Sequence, residues 1–189
     1  MKVIALLGSP RKEGNTDILA GEVLRGAQDA GAEIEKVYLD DLWIRPIGEV
    51  GDNSREREDP RDDDDFPNLL ERFLNSDVVI LASPVYWQGA SAQMKCFIDR
   101  LSSYFKRPPY AEKFDGKKYI VVCTFGREEV GYHEWITRPM KLTVELLRGE
   151  YFGDLCVPVY QKGHVREMPD VLTAAYEMGR AVVTKLAGK

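Results

Sequence analysis

Reactive side chains are scarce in this sequence: it has two histidines and three cysteines in 189 residues. Cys96, Cys123 and Cys156 are far apart, odd in number and form no CxxC pair. Cys123 and Cys156 lie inside apolar runs, where cysteine behaves as a small buried hydrophobe, so all three read as structural, as in a reducing compartment. His133 and His164 stand apart with no acidic cluster beside them, so no metal site is expected. No apolar run approaches the length of a membrane span, and Val3–Leu7 is too short for a signal segment. A cytoplasmic protein without a membrane partner is therefore expected. No dense basic run occurs, and the formal net charge is −5, which argues against a nucleic-acid partner. With 44% hydrophobic and 30% charged residues, the chain reads as one soluble domain over 1–189, large enough to bury a core without staples.

What the chain does contain is alternation of strand and helix patterns. Val3–Leu7 is a continuous apolar run ending at Gly8, as expected of a strand buried on both faces. Ala20, Val23, Leu24 and Ala27 follow at helical spacing, closed by Gly31. Glu33–Leu39 alternates and predicts a second strand nearer the sheet edge. Residues 40–65 then lose periodicity in an irregular acidic insertion with Pro46, Gly48, Gly51 and Pro60, read as solvated loop, whose last aspartates could cap a short helix through Leu69, Leu70, Phe73 and Leu74. Val78–Ala82 is a third strand, and a helix from about Ser91 carries Met94, Phe97, Ile98 and Leu101 on one face. Its Lys95, Asp99 and Arg100 read as a solvated or ion-paired face. Lys118–Thr124 predicts a fourth strand, followed by a glycine-bearing loop from Phe125 to Tyr132. Pro139 suits the first turn of a helix closed by Gly149. Leu155–Tyr160 predicts a fifth strand, and Leu172, Ala175, Tyr176, Val182, Val183 and Leu186 mark a terminal helix. The pattern predicts an α/β three-layer sandwich around a five-stranded parallel sheet of order 2-1-3-4-5, with ligands at the carboxyl ends of strands one and three.

Those two strand ends carry the least ordinary segments. The first, Gly8-Ser-Pro-Arg-Lys-Glu-Gly-Asn-Thr16, offers hydroxyls from Ser9 and Thr16, the Asn15 amide and the Arg11 guanidinium ahead of a helix N-terminus, where unpaired N–H groups favour an anion. Five residues separate Gly8 from Gly14 and Asn15 stands where a Walker lysine would, so a nucleoside triphosphate is disfavoured. A dinucleotide GxGxxG is absent. So is the cysteine nucleophile that a phosphatase of this topology needs. A terminal phosphomonoester fits; a helix-capping turn with nothing bound is the structural alternative. The second segment, Ser83-Pro-Val-Tyr-Trp-Gln-Gly89, sets two aromatics in a proline-stiffened turn suited to a planar heterocycle. Thr124-Phe125-Gly126 ends the fourth strand at the same sheet edge.

GSPRKEGNT (Gly8–Thr16) and SPVYWQGASAQMKCFIDR (Ser83–Arg100) resemble the NADPH-dependent FMN reductase family of flavodoxin-like proteins, close to its iron–sulfur flavoprotein branch. The resemblance implies that Ser9, Arg11, Asn15 and Thr16 hold the FMN phosphate, that Pro84, Val85, Tyr86 and Trp87 line the ribityl and isoalloxazine, and that Thr124, Phe125 and Gly126 complete the ring site. It implies NADPH or NADH as hydride donor, a small-molecule electron acceptor such as a quinone or free flavin, and a homodimer or homotetramer. No catalytic acid, base or nucleophile is required. The branch's four-cysteine motif would fall in Ile47–Asp65, which holds no cysteine, so an iron–sulfur cluster is not expected. The competing readings are a flavodoxin-type electron carrier and a redox-sensing flavoprotein, neither turning over NAD(P)H.

Overall fold

The computed structural model describes residues 1–48, 63–126 and 131–187. Five parallel strands, β1 (Lys2–Leu7), β2 (Glu33–Tyr38), β3 (Val78–Pro84), β4 (Lys118–Phe125) and β5 (Glu150–Pro158), form one sheet in the order β2-β1-β3-β4-β5. This is the flavodoxin-like arrangement expected from the sequence. The apolar runs of β1, β3 and β4 are buried throughout because helices cover both faces, while the edge strands β2 and β5 are only partly covered.

Helices α1 (Asn15–Asp29) and α5 (Pro169–Ala187) cover one face; α2 (Phe66–Leu74), α3 (Ala92–Arg100) and α4 (Glu134–Leu146) cover the other. The helices α1 and α5 cross so closely that a Cβ on Gly26 would lie 1.9 Å from Tyr176 O, and one on Gly179 would lie 1.9 Å from Val23 O. Any side chain at either position would push the pair apart. The opposite layer is aromatic: Phe73 packs against Phe97, Phe114 and Tyr119, with ring centroids 5.6 to 6.4 Å apart.

Several sequence expectations shift. Helix α4 begins at Glu134, so Pro139 sits inside it rather than in its first turn. Pro139 is exposed, where water can reach the carbonyl that its missing N–H leaves unpaired. The left-handed residue beyond this helix is Arg148 (φ 57°), not Gly149. Strand β5 begins five residues earlier than its apolar stretch and stops at Pro158, because an edge strand tolerates the polar Glu150–Asp154 segment. Arg100 is not on a solvated face. Its guanidinium and the Asp64 carboxylate are both fully buried and lie 2.5 Å apart, against the Phe66 ring. Lys95 and Asp99 do form the exposed i,i+4 pair.

The Arg100–Asp64 pair clamps the two stems of the acidic insertion. Asp64 accepts the N–H of Arg45 and of Phe66, Asp65 accepts that of Trp43, and Arg100 donates to the Arg45 carbonyl. One of the expected aspartates thus meets the start of α2. Residues 49–62 of the insertion and 127–130 of the loop after β4 lie outside the described residues. Burial works against the Asp64 charge, but the Arg100 hydrogen bond and the two N–H groups outweigh it and hold the carboxyl below the usual range. Its contribution to stability is therefore complete above the unfolded-chain value of about 4 and disappears as pH falls through the lower folded value. Asp64→Asn takes the Asp64 carboxylate away from the buried Arg100 guanidinium, and urea melts at neutral pH are expected to show a loss of about 3–5 kcal/mol. The gap to wild type should narrow as pH falls below about 4, where the unfolded chain takes up the Asp64 proton before the folded protein does, and close once pH passes the lower folded value.

Candidate functional site

The carboxyl ends of β1, β3, β4 and β5 surround one cleft. It is lined by Ser9, Arg11, Gly14, Asn15 and Thr16, by Pro84, Val85 and Tyr86, by Thr124, Phe125 and Gly126, and by Val159, Tyr160, Gln161 and Lys162. Every residue expected at the site is brought there except Trp87. The crossing from β1 to α1 is tight. A Cβ on Gly8 would lie 2.5 Å from Ser91 Oγ and 2.9 Å from Met94 Cβ, so only glycine lets the first loop turn against the start of α3. Ser91 itself caps α3 by accepting the Met94 N–H at 3.3 Å.

The first loop presents donors. Gly14 is the N-cap of α1 and provides no side-chain cap, and the first helical bond runs from Ile18 N to Gly14 O. The N–H groups of Asn15, Thr16 and Asp17 therefore precede the hydrogen-bonded ladder and point out of the positive end of the helix. Ser9 Oγ accepts the Arg11 N–H at 3.2 Å and keeps its own proton for a ligand. The Thr16 and Thr124 hydroxyls, both buried, lie 2.7 Å apart. When Thr124 donates to Thr16, the Thr16 proton is free to point into the cleft. Asn15 has a different task from the one expected. Its amide donates to Gln161 O at 2.7 Å and accepts Val165 N–H at 3.3 Å, so it ties the first loop to the loop after β5.

A network that the sequence reading missed holds the loop from beneath. Glu13 has φ 57°, a left-handed conformation that costs roughly 1–3 kcal/mol for a non-glycine residue. Its N–H donates to Asp17 Oδ2 at 2.7 Å. Asp17 is buried, forms an ion pair with Lys36 and accepts Tyr38 OH at 3.0 Å. Burial opposes the Asp17 charge, yet Lys36 and the Glu13 N–H hold its carboxyl below the usual range. Its negative charge, set in the first turn of α1, is thus neutralised from β2 and does not repel an anion at the loop. Lys12 is engaged with Asp41 at 2.8 Å. Among the described residues that line the cleft, that leaves Arg11 and Lys162 as the exposed cationic side chains.

The other walls are joined backbone to backbone, Val85 N to Thr124 O at 2.8 Å and Val159 N to Phe125 O at 2.7 Å. Tyr86 and Gly89 exchange both backbone hydrogen bonds across Trp87 (φ 48°) and Gln88 (φ 64°), a two-residue turn of the type usually given to Asn-Gly. Trp87 is fully exposed at its tip. Tyr160, 66% exposed, stands across the cleft beside Gly126. Tyr160, Gln161 and Lys162 carried no motif. The rule that ligands gather at strand ends, applied to β5, would have found them. His133 starts α4 and His164 lies in a short turn before α5. No group of metal-binding side chains occurs among the described residues. Among them, too, no helix is long and apolar enough to cross a membrane.

Residues 1–134 match the family described as NADPH-dependent FMN reductase. The chain belongs to that family. It is 39% identical over 135 residues to an iron–sulfur flavoprotein of Archaeoglobus fulgidus, covering 70% of this chain and 60% of that one. It is 33% identical over 112 residues to a putative NAD(P)H-dependent FMN-containing oxidoreductase of Bacillus subtilis, covering 59% of this chain and 58% of that one. The matched part of the chain thus spans about three fifths of each of these curated relatives. Among solved structures, the Trp repressor binding protein of Bacillus subtilis superposes with a TM-score of 0.72 at 22% identity, covering 94% of this chain and 98% of that one. That likeness speaks for the fold.

Asp17→Ala should release the strained loop. It removes the Glu13 partner and leaves Lys36 unpaired, and a stability loss of about 1–3 kcal/mol is expected in thermal or urea melts. Amide exchange at Glu13 should speed up while the β3 and β4 amides stay protected. An unchanged Glu13 exchange rate would show that Asp17 does not shape the loop.

Proposed function

We propose that this chain is an FMN-dependent NAD(P)H oxidoreductase that passes electrons from a nicotinamide to a small acceptor. The observation that carries the reading is the donor set of the first loop. Uncapped helix N–H groups, the Ser9 and Thr16 hydroxyls and an exposed Arg11 converge, and no carboxylate is among the described residues that line the cleft. Such a set suits the dianionic phosphomonoester of FMN. The cleft encloses about 170 Å³, below the roughly 300–1,000 Å³ of a cofactor-sized pocket. Its donors would hold the phosphate end, and Tyr86, Gly126 and Tyr160 on its open rim would be available to the flavin ring. Bound FMN would supply the hydride and electron-transfer chemistry.

The protein's part is positioning. Arg11, Ser9, Thr16 and the α1 N-terminus hold the phosphate; Asn15 acts by fastening the loop after β5 against it. Pro84, Val85, Tyr86, Thr124, Phe125 and Gly126 supply apolar contact and backbone groups along the ribityl chain and ring. Trp87 stands outside the enclosed cleft, where it would meet the ring's outer edge or a stacked donor or acceptor. The relatives' names support nicotinamide use, and the Archaeoglobus fulgidus relative's name includes an iron–sulfur centre. Residues 47–65 of this chain contain no cysteine to ligate one, so we read the chain as a flavoprotein without a cluster. The acceptor is read as a small molecule and the assembly as a homodimer or homotetramer. Gel filtration with light scattering checks the assembly.

Anaerobic mixing of the FMN-loaded protein with NADH or NADPH should bleach the flavin absorption. Bleaching by neither donor would leave a flavodoxin-type carrier or a redox-sensing flavoprotein as the better reading. Arg11→Ala should weaken FMN binding by roughly 10- to 150-fold, the worth of a charge-assisted hydrogen bond, with little change in melting temperature. Equal affinity would remove Arg11 from the phosphate site.

A further inference from the structure

Cys123 and Cys156 face each other directly in the β4–β5 register, on the sheet face covered by α2, α3 and α4. Both are free thiols; Cys123 is buried and Cys156 half-buried. The Cys123 thiol is hydrogen-bonded to Cys156 and buried, and both effects push it well above the ordinary thiol range. Cys156 Sγ donates to Asp154 Oδ1 at 3.7 Å, while Asp154 accepts Tyr151 OH at 2.8 Å and faces Lys141 Nζ at 3.9 Å. Asp154 lines a cavity of about 280 Å³ between α4 and β5, with His133, Thr137, Arg138 and Lys141 on its walls. Two thiols thus lie in contact, and the outer one is bonded to a carboxylate that opens on a cavity.

We propose that Cys123 and Cys156 form a dithiol–disulfide pair that is oxidised by a peroxide arriving through this cavity. Cys156 passes its proton to Asp154 as the sulfur attacks one peroxide oxygen. The O–O bond breaks, and the leaving hydroxide takes the proton back from Asp154 and departs as water. Cys156 is left as a sulfenic acid. The Cys123 sulfur then displaces that hydroxyl, which leaves as a second water with the Cys123 proton. Two thiols and one hydrogen peroxide become one disulfide and two waters, with two electrons moving from sulfur to oxygen. Adjacent strands lie about 4.8 Å apart, within the Cα separation a disulfide accepts. The Cβ atoms must still draw together to about 3.8 Å, which makes the bond strained and easily reduced. The pair also lies where β4 runs on into Thr124–Gly126 and β5 into Val159–Lys162, the two walls of the cleft. Drawing those strands together would move one wall against the other. This link to the cleft rests on the FMN reading above; the disulfide itself does not.

The test treats the full chain, with Cys96→Ser to remove the third thiol, with hydrogen peroxide. Maleimide labelling, intact mass and peptide mapping follow. A mass loss of about 2 Da, loss of both labelled thiols and a Cys123–Cys156 cross-linked peptide are expected, all reversed by dithiothreitol. Two thiols still open to label, or oxygen added to Cys156 with no cross-link, would overturn the pair. The oxidised and reduced forms are then titrated with FMN, and the oxidised form should bind several-fold more weakly. Equal affinity in the two forms would overturn the link to the cleft. No affinity in either form would overturn the FMN reading instead, and the mass shift would still decide the disulfide.

Discussion

The contact at Gly8 governs how this site is assembled. The chain leaves β1 with its Gly8 N–H on Ala82 O, and it turns where a single added carbon would collide with Ser91 and Met94. The first loop and the start of α3 therefore share a wall, and β1 and β3 discharge into the same space. Everything later in the cleft is bolted to this arrangement by bonds that need no ligand: Thr16 to Thr124, Val85 to Thr124, Asn15 to Gln161. A site held this way binds without first ordering its own walls, which is the main cost that preorganisation removes.

Charge is arranged locally against the global balance. The chain carries a formal −5, yet among the described residues that line the cleft the exposed charges are cationic, Arg11 and Lys162. Of the two acids at the α1 N-terminus, Glu13 is exposed beside Arg166, while Asp17 is buried and neutralised by Lys36, its oxygens spent on Glu13 N–H and Tyr38. Substituting Asp17 by a neutral residue would add positive character to the loop while removing the brace that shapes it. Because those two effects have opposing signs, loop geometry as well as charge would set how well the loop holds an anion.

The strands buried on both faces were plain in the sequence, because a run such as Val78–Leu81 admits no amphipathic alternative and ends where the motif begins. The two glycine- and aromatic-bearing loops were equally plain, since their residue types are costly anywhere but at a ligand or a turn. What escaped was determined at long range. Asn15 looked like a phosphate ligand, and nothing near it in the chain indicates that its amide reaches Gln161, 146 residues away. Arg100 read as solvated or ion-paired on the helix face, and its burial with Asp64 was hidden because that partner sits in a segment without periodicity. Cys123 and Cys156 are separated by a whole helix, and only the parallel register brings them face to face. Strand β5 was misplaced because an edge strand need not be apolar.

The buried Arg100–Asp64 pair fixes the described stems of the acidic insertion to the rest of the fold. The stems at Trp43–Arg45 and Asp63–Asp65 are joined by backbone-to-carboxylate bonds and held to α3 by a guanidinium with no exposure to water. A charge pair buried so deeply adds little net stability against an apolar substitute, but it is very costly to break, so it serves best as a fixed point. The same segment of chain links α3, whose start forms one wall at Gly8, to the clamp at its end. The first-loop contact at Gly8 and the clamp on the insertion's stems are thereby carried on opposite ends of one nine-residue helix.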